Sequence, residues 1–145
     1  MQEITVRQSR KKDIDQIAAL CVQLGYDYPA DKIRKKFRKI RKSKDNEIFV
    51  ACDSGKVIGW IHISIYNLLY FQKLGNILGL ITDRGYRGRG IGKNLMSSAE
   101  QWAKDKGCAG IIVNSGETRK DTHTFYEKIG YRLIKRQERY YKDVK

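Results

Sequence analysis

The stretch Thr82-Asp-Arg-Gly-Tyr-Arg-Gly-Arg-Gly-Ile-Gly92 sets arginines among alternating glycines immediately in front of an amphipathic helical pattern. That combination is suited to holding an anion. Gly88, Gly90 and Gly92 can adopt positive φ and bring backbone N–H groups close to a ligand, and a helix opening near Gly90 adds the positive end of its dipole. Arg87 and Arg89 supply permanent positive charge with a planar fork of donors. The spacing is neither Gly-x-Gly-x-x-Gly nor a Walker loop, because Asn94 follows Gly92-Lys93 where Ser or Thr is required and no glycine stands five residues before Gly92. A surface turn that merely happens to be rich in Gly and Arg is the alternative. The apolar run Asn76–Thr82 in front and the long helical pattern behind favour the cradle.

The elements that must position this loop can be read from hydrophobic periodicity. Ile4–Arg7 reads as a first strand, and a helix from about Lys12 to Leu24 carries Ile14, Ile17, Ala18, Cys21 and Leu24 on one face. A break at Gly25–Pro29 precedes a basic helix in which Ile33, Phe37 and Ile40 recur at helical spacing. Ile48–Asp53 and Val57–Ile65 read as strands joined by a tight turn at Ser54-Gly55. Residues 66 to 74 form an aromatic-rich loop, and Asn76–Thr82 the next strand. From Gly90 the pattern Ile91, Leu95, Met96, Ala99, Trp102, Ala103 keeps helical period to a stop at Lys106-Gly107. Then follow a strand Ala109–Asn114, a helix around Asp121–Ile129 ended by Gly130, and strands Tyr131–Lys135 and Glu138–Lys142. The order β-α-α-β-β-β-α-β-α-β-β predicts an α/β (α+β) domain: a mixed, mostly antiparallel central sheet flanked by helices.

The 145 residues predict one domain, with no linker or repeat to divide them. Cys21, Cys52 and Cys108 are odd in number and widely spaced in apolar surroundings, which suits reduced thiols better than a disulfide framework. His62 and His123 share no ligand spacing with them, so no metal is expected. No apolar run reaches the ~20 residues of a membrane span and no leader pattern opens the chain, so a cytoplasmic protein without a membrane partner is expected. The formal net charge is +14, and nine of the thirteen residues from Lys32 to Lys44 are Lys or Arg with no acid among them. Such a helix can be a solvated face, a field that gathers anionic ligands, or a footprint for RNA or the ribosome.

Two motifs narrow the chemistry. Arg87, Gly90 and Gly92 match Arg/Gln-x-x-Gly-x-Gly/Ala, and Phe125-Tyr-Glu-Lys-Ile-Gly-Tyr131 matches a late Phe-Tyr-x-x-x-Gly-Phe/Tyr signature. Together with the element order, they make the chain resemble the GCN5-related N-acetyltransferase (GNAT) superfamily from end to end. The resemblance implies transfer of an acetyl group from acetyl-CoA to a primary amine by direct attack through a tetrahedral intermediate. It implies a pyrophosphate loop at Arg87, Gly88, Arg89, Gly90, Ile91, Gly92 and Lys93. It also implies a strand irregularity near Leu80, Ile81 and Thr82 that frees a backbone N–H for the carbonyl oxygen. Tyr126 matches the residue that gives a proton to the departing thiolate, a role suited to a phenol of pKa near ~10. The resemblance also implies that groups near Asn114 meet the pantetheine arm and that Arg119, which stands where many relatives have Asn, belongs to the cofactor-binding set.

The chain departs from the superfamily where a base is expected, since Leu78 and Gly79 occupy positions at which many relatives carry Glu. His62, Asp27 and His123 are the alternative bases, with packing and hydrogen bonding the competing use of each. Tyr26, Asp27 and Tyr28, and Tyr66, Tyr70 and Phe71, resemble in position the walls of an acceptor pocket. They suit a small organic amine equally as well as packing under the basic helix or a homodimer contact. The net charge favours an amine that also bears phosphate, phosphonate or carboxylate over a polycation. Acetylation of a protein N-terminus or lysine, and a catalytically weak CoA-binding module docking on RNA through Lys32–Lys44, stand as alternatives.

Overall fold

The structure, a computed structural model, describes residues 3–25, 27–115 and 120–145, with the side chain of residue 120 left aside. The chain gathers into two units, Met1–Asn114 and Ser115–Lys145.

The first unit is a five-stranded sheet in the order β1 (Ile4–Gln8), β2 (Asn46–Asp53), β3 (Lys56–Tyr66), β4 (Leu74–Thr82), β5 (Gly110–Val113). The first four strands run antiparallel to their neighbours, and β5 pairs parallel to β4. Three helices pack on this sheet: α1 (Ile14–Cys21), with a 3-10 turn at each end, α2 (Ala30–Lys42) and α3 (Ile91–Asp105). The central strand β3 is buried on both faces over most of its length, so it reads as an apolar run, Val57–Ile65, broken only by Gly59, His62 and Ser64.

One face carries Trp60, Ile48, Val50 and Ile81, which close with Ile17 and Leu20 of α1 and Phe37 of α2 into a core cluster. The opposite face belongs to α3. A Cβ on Gly59 would lie 3.3 Å from Leu95 Cδ1, and one on Gly75 would lie 3.3 Å from Ala103 Cβ. Ile91, Leu95, Met96, Ala99, Trp102 and Ala103 recur at helical spacing and are all buried. Leu95 is fully buried, so Leu95→Ala would cost about 2–5 kcal/mol. The start of the chain is tied down by Asp13, buried at the head of α1. Its carboxylate takes both ends of the Arg7 guanidinium (2.7 and 3.0 Å) and the Arg10 N–H (2.7 Å). Burial alone would raise the pKa of Asp13; those donors more than offset it and hold it low.

The second unit contains α4 (Lys120–Lys128), which ends at Gly130 in a left-handed conformation, φ 100°. The two late strands expected at Tyr131–Lys135 and Glu138–Lys142 are not formed: residues 131–145 carry no regular element. Residues 132–145 are exposed throughout, with charged residues between the apolar ones, and an isolated two-stranded ribbon in water is marginal without a third strand or a helix to cover it.

Candidate functional site

The site is built where β4 leaves its neighbours. In the β3–β4 ladder Gly79 stands opposite His62 but Ile77 opposite Ile63, so Leu78 is an extra, bulged residue. On the other side, β4 pairs with β5 only as far as Ile77 opposite Val113. Beyond that point the β5 side of Leu78–Thr82 faces no strand among the described residues. The ladder fixes which peptide groups look that way. The Asp83 N–H donates to the Ile58 carbonyl at 2.8 Å, so by strand alternation Ile81 and Gly79 also turn their peptides towards β3, and Leu80 and Thr82 turn theirs to the open side.

This divides the three positions expected to meet the thioester. Leu80 and Thr82 present backbone groups to the open side. Ile81 does not: its peptide faces Trp60 and its side chain is buried in the core cluster. The irregularity itself lies at Leu78, two residues before the expected span, because it falls where β4 parts from β5.

The open strand runs directly into the glycine- and arginine-rich turn. Asp83 opens it: its Oδ1 accepts from the Gly85 N–H (3.4 Å) and from Gln23 Nε2 (3.3 Å), while Gln23 Oε1 accepts from the Arg84 N–H (3.1 Å). Tyr86 then donates its hydroxyl to Asp53 Oδ2 at 2.6 Å, a buried carboxylate at the β2–β3 turn. That hydrogen bond is the main reason the Tyr86 hydroxyl titrates above its ordinary range. The Arg89 guanidinium lies 5.0 Å over the Tyr86 ring, and Arg87 Nε donates to the Thr82 carbonyl at 3.4 Å. Gly88 (φ 81°) and Gly90 (φ 77°) are left-handed, with no heavy atom within 4 Å of where a Cβ would be. They are glycines for the backbone they allow and not for lack of room. Gly92 is different: it is the second residue of α3 and has no positive φ.

The result is an exposed concentration of Arg87, Arg89 and Lys93 around the first turn of a fifteen-residue helix, whose leading N–H groups have no partner within the helix. A pyrophosphate fits this set, and an extended amide-bearing arm fits the unpaired side of Leu80–Thr82. Asn114, just past β5, is exposed.

His62 lies on the same face as Trp60, opposite Gly79 at the bulge. Gly79 is required there because a Cβ would come within 2.8 Å of the Trp60 ring. His62 Nε2 is 2.8 Å from Asn46 Oδ1, and burial lowers the imidazole pKa from 6.5 to about 4, so the ring is neutral at physiological pH.

The remaining residues singled out from sequence divide sharply. Asp27 and Tyr28 are exposed, with the Lys36 ammonium 5.0 Å over the Tyr28 ring. Tyr66 closes β3 on the same face as His62, about 13 Å along the strand from it. Tyr70 and Phe71 stand out in the β3–β4 connection at 83% and 58% exposure. Tyr26 and Arg119 lie outside the described residues. In the second unit, Tyr126 packs edge-on against Phe125 and Tyr131, centroids 5.1 and 5.9 Å away, and its carbonyl accepts from the Tyr131 N–H at 2.9 Å. His123 lies one turn earlier on the same helix. Gln23, Asp53 and Asn46 carry no sequence signal for their parts in the site, since each acts on a residue 16 or more positions away.

Residues 13–131 match the model of the acetyltransferase (GNAT) family. The chain belongs to that family. It is 30% identical over 95 residues to the glucosamine 6-phosphate N-acetyltransferase of Trypanosoma brucei brucei, 64% of this chain and 63% of that protein, so it spans less than two thirds of that relative's length. It is 28% identical over 131 residues to the aminoalkylphosphonate N-acetyltransferase of Salmonella typhimurium, 88% of this chain and 84% of the other. Among solved structures, AAC(6')-Iy in complex with the bisubstrate analogue CoA-S-monomethyl-acetylneamine superposes with a TM-score of 0.90 at 20% identity, covering 98% of this chain and 99% of that one. At that identity the likeness shows the fold, a mostly antiparallel sheet with its helices. No helix among the described residues is long and apolar enough to cross a membrane.

Proposed function

We propose that this chain is an acetyl-CoA-dependent N-acetyltransferase whose acceptor is a small primary amine that also carries phosphate, phosphonate or carboxylate. The observation that carries the reading is the continuity of the open side of Leu80–Thr82 with the arginine-bearing turn that begins α3, in a member of the acetyltransferase family. When bound, acetyl-CoA supplies an acetyl thioester to the amine. Arg87, Arg89, Lys93 and the first N–H groups of α3 hold the phosphates by charge and hydrogen bonding. The Leu80 N–H, on the open side just past the bulge, is the donor assigned to the developing oxyanion, where a fixed dipole needs no reorganisation. Tyr126 is assigned the proton that the leaving sulfur takes up, because it matches the tyrosine of the family's late Phe-Tyr signature.

The acceptor class rests on two observations. The net charge of +14 raises the local concentration of anionic ligands and opposes polycations. Two of the relatives bear the names of enzymes acting on an amine that carries a phosphate or a phosphonate. Thiol release from acetyl-CoA, measured over glucosamine 6-phosphate, 2-aminoethylphosphonate, a polyamine and an aminoglycoside, tests this reading. Turnover of the first two well above the last two is expected. CoA binding without turnover of any amine would overturn the enzymatic reading, and a preference for the polycations would overturn the acceptor class.

A further inference from the structure

The superfamily's strand carboxylate is replaced here by Leu78 and Gly79, yet directly across the ladder from Gly79 stands a histidine whose protonation pattern is fixed by its neighbours. Asn46 opens β2. Its Nδ2 donates to Ser43 Oγ at 3.1 Å, and the same Oγ accepts from the Asp45 N–H at 3.2 Å. The Asn46 amide nitrogen lies on Ser43 and its Oδ1 faces His62, where it can only accept. The 2.8 Å contact is therefore an N–H···O bond donated by His62 Nε2. A neutral imidazole has one ring proton. Held on Nε2, it leaves the Nδ1 lone pair available, and His62 makes no other side-chain hydrogen bond among the described residues.

We propose that Asn46, anchored by Ser43, is a positioning residue that holds His62 in the tautomer whose Nδ1 accepts the proton of the attacking amine. This rests on the acetyltransferase reading. As the C–N bond forms, the nitrogen carries one proton too many, and Nδ1 takes it directly or through one water. The C–S bond then breaks and the sulfur takes up a proton, so one proton leaves nitrogen and one arrives at sulfur. His62 returns to its starting form by exchange with solvent.

The surroundings of His62 leave its protonation to burial alone, the sole cause of its lowered pKa. Its face carries Trp60 and Ser64 on its own strand, Ile48 on β2 and Gly79 on β4. α1 adds the Cys21 thiol to that core, pushed up by burial and so neutral, and α2 adds only apolar Phe37 and Ile40.

The test compares the wild type, Asn46→Asp, Asn46→Leu and His62→Gln with acetyl-CoA and 2-aminoethylphosphonate. A carboxylate at 46 stabilises the imidazolium, so Asn46→Asp moves the acid limb of the kcat/KM profile up by about one pH unit. Asn46→Leu lowers kcat about tenfold and His62→Gln about 100-fold, both with unchanged KM for acetyl-CoA. Long-range proton–nitrogen correlation on the folded protein shows the Nε2–H tautomer in the wild type and a mixture in Asn46→Leu, a readout independent of turnover. An unmoved pH profile in Asn46→Asp, or loss of stability alone in Asn46→Leu, overturns the proposal. A wild type that binds CoA and turns over no amine overturns the acetyltransferase reading instead, whatever the tautomer.

Discussion

The turn from Asp83 to Gly90 and the aromatic residues around Tyr28 and Tyr66–Phe71 are built on opposite terms. The turn is fastened at several points: Gln23 grips both Asp83 and the Arg84 N–H, Tyr86 is hydrogen-bonded to a buried carboxylate, and Arg87 reaches back to the Thr82 carbonyl. The aromatic side has little of this. Tyr28 is met by one lysine, and Tyr70 and Phe71 stand in solvent. On the proposed reading, the fastened turn would meet the donor with its ordering entropy already lost at folding and not at binding. The exposed loops would meet the acceptor, and they tolerate substitution without disturbing the scaffold.

The sharpest way to break this comparison is Gly90→Asp. Asp tolerates the left-handed conformation and nothing crowds the site, so the fold should lose no more than about 1 kcal/mol. The added negative charge in the cradle should weaken CoA by about 1000-fold or more, through like-charge juxtaposition worth several kcal/mol. Calorimetry with CoA checks it, and unchanged affinity would refute the cradle. Next in size, Tyr126→Phe should lower kcat about 100-fold while KM for acetyl-CoA stays put, as steady-state kinetics will show.

Between the two regions, His62 makes stability depend on acidity. Its folded pKa of about 4 lies below the 6.5 of the unfolded chain, so the unfolded state binds the extra proton. The contribution is fully present above pH 6.5 and is lost as pH falls to about 4, amounting to about 3 kcal/mol. Urea titrations across that range should lose this slope in His62→Gln. Tyr86→Phe should cost about 2 kcal/mol by leaving buried Asp53 without its phenol, and should loosen acetyl-CoA in proportion. The smallest effect is expected of Tyr70→Ala: no change in stability or in KM for acetyl-CoA beyond about twofold, since the ring is 83% exposed, with any change confined to KM for the acceptor.

Much of this was legible along the chain. Five strands and four helices lie where periodicity put them, because each buries a face at a fixed local repeat, and the Ser54-Gly55 turn and Gly107 stop are local chemistry. The turn before α3 was legible for the same reason: Arg87, Gly88, Arg89 and Gly90 stand next to one another in the chain, and Gly88 and Gly90 take the left-handed conformation there. The late strands at 131–142 were misread because alternation describes a surface that could pair, and pairing needs a partner. Ile81 was misread because two adjacent strand residues point opposite ways, and which of them faces outward depends on the register with β3.

What the sequence determined by itself, then, was the type and order of the first nine elements, the family, and the glycine- and arginine-bearing turn before α3, all of which rest on residues close together in the chain. Only the tertiary structure decided where β4 bulges and parts from β5, that Leu80 and Thr82 rather than Ile81 face the open side, and that Asn46 meets the His62 ring. Those are relations between strands, fixed by register and by hydrogen bonds that no local pattern encodes.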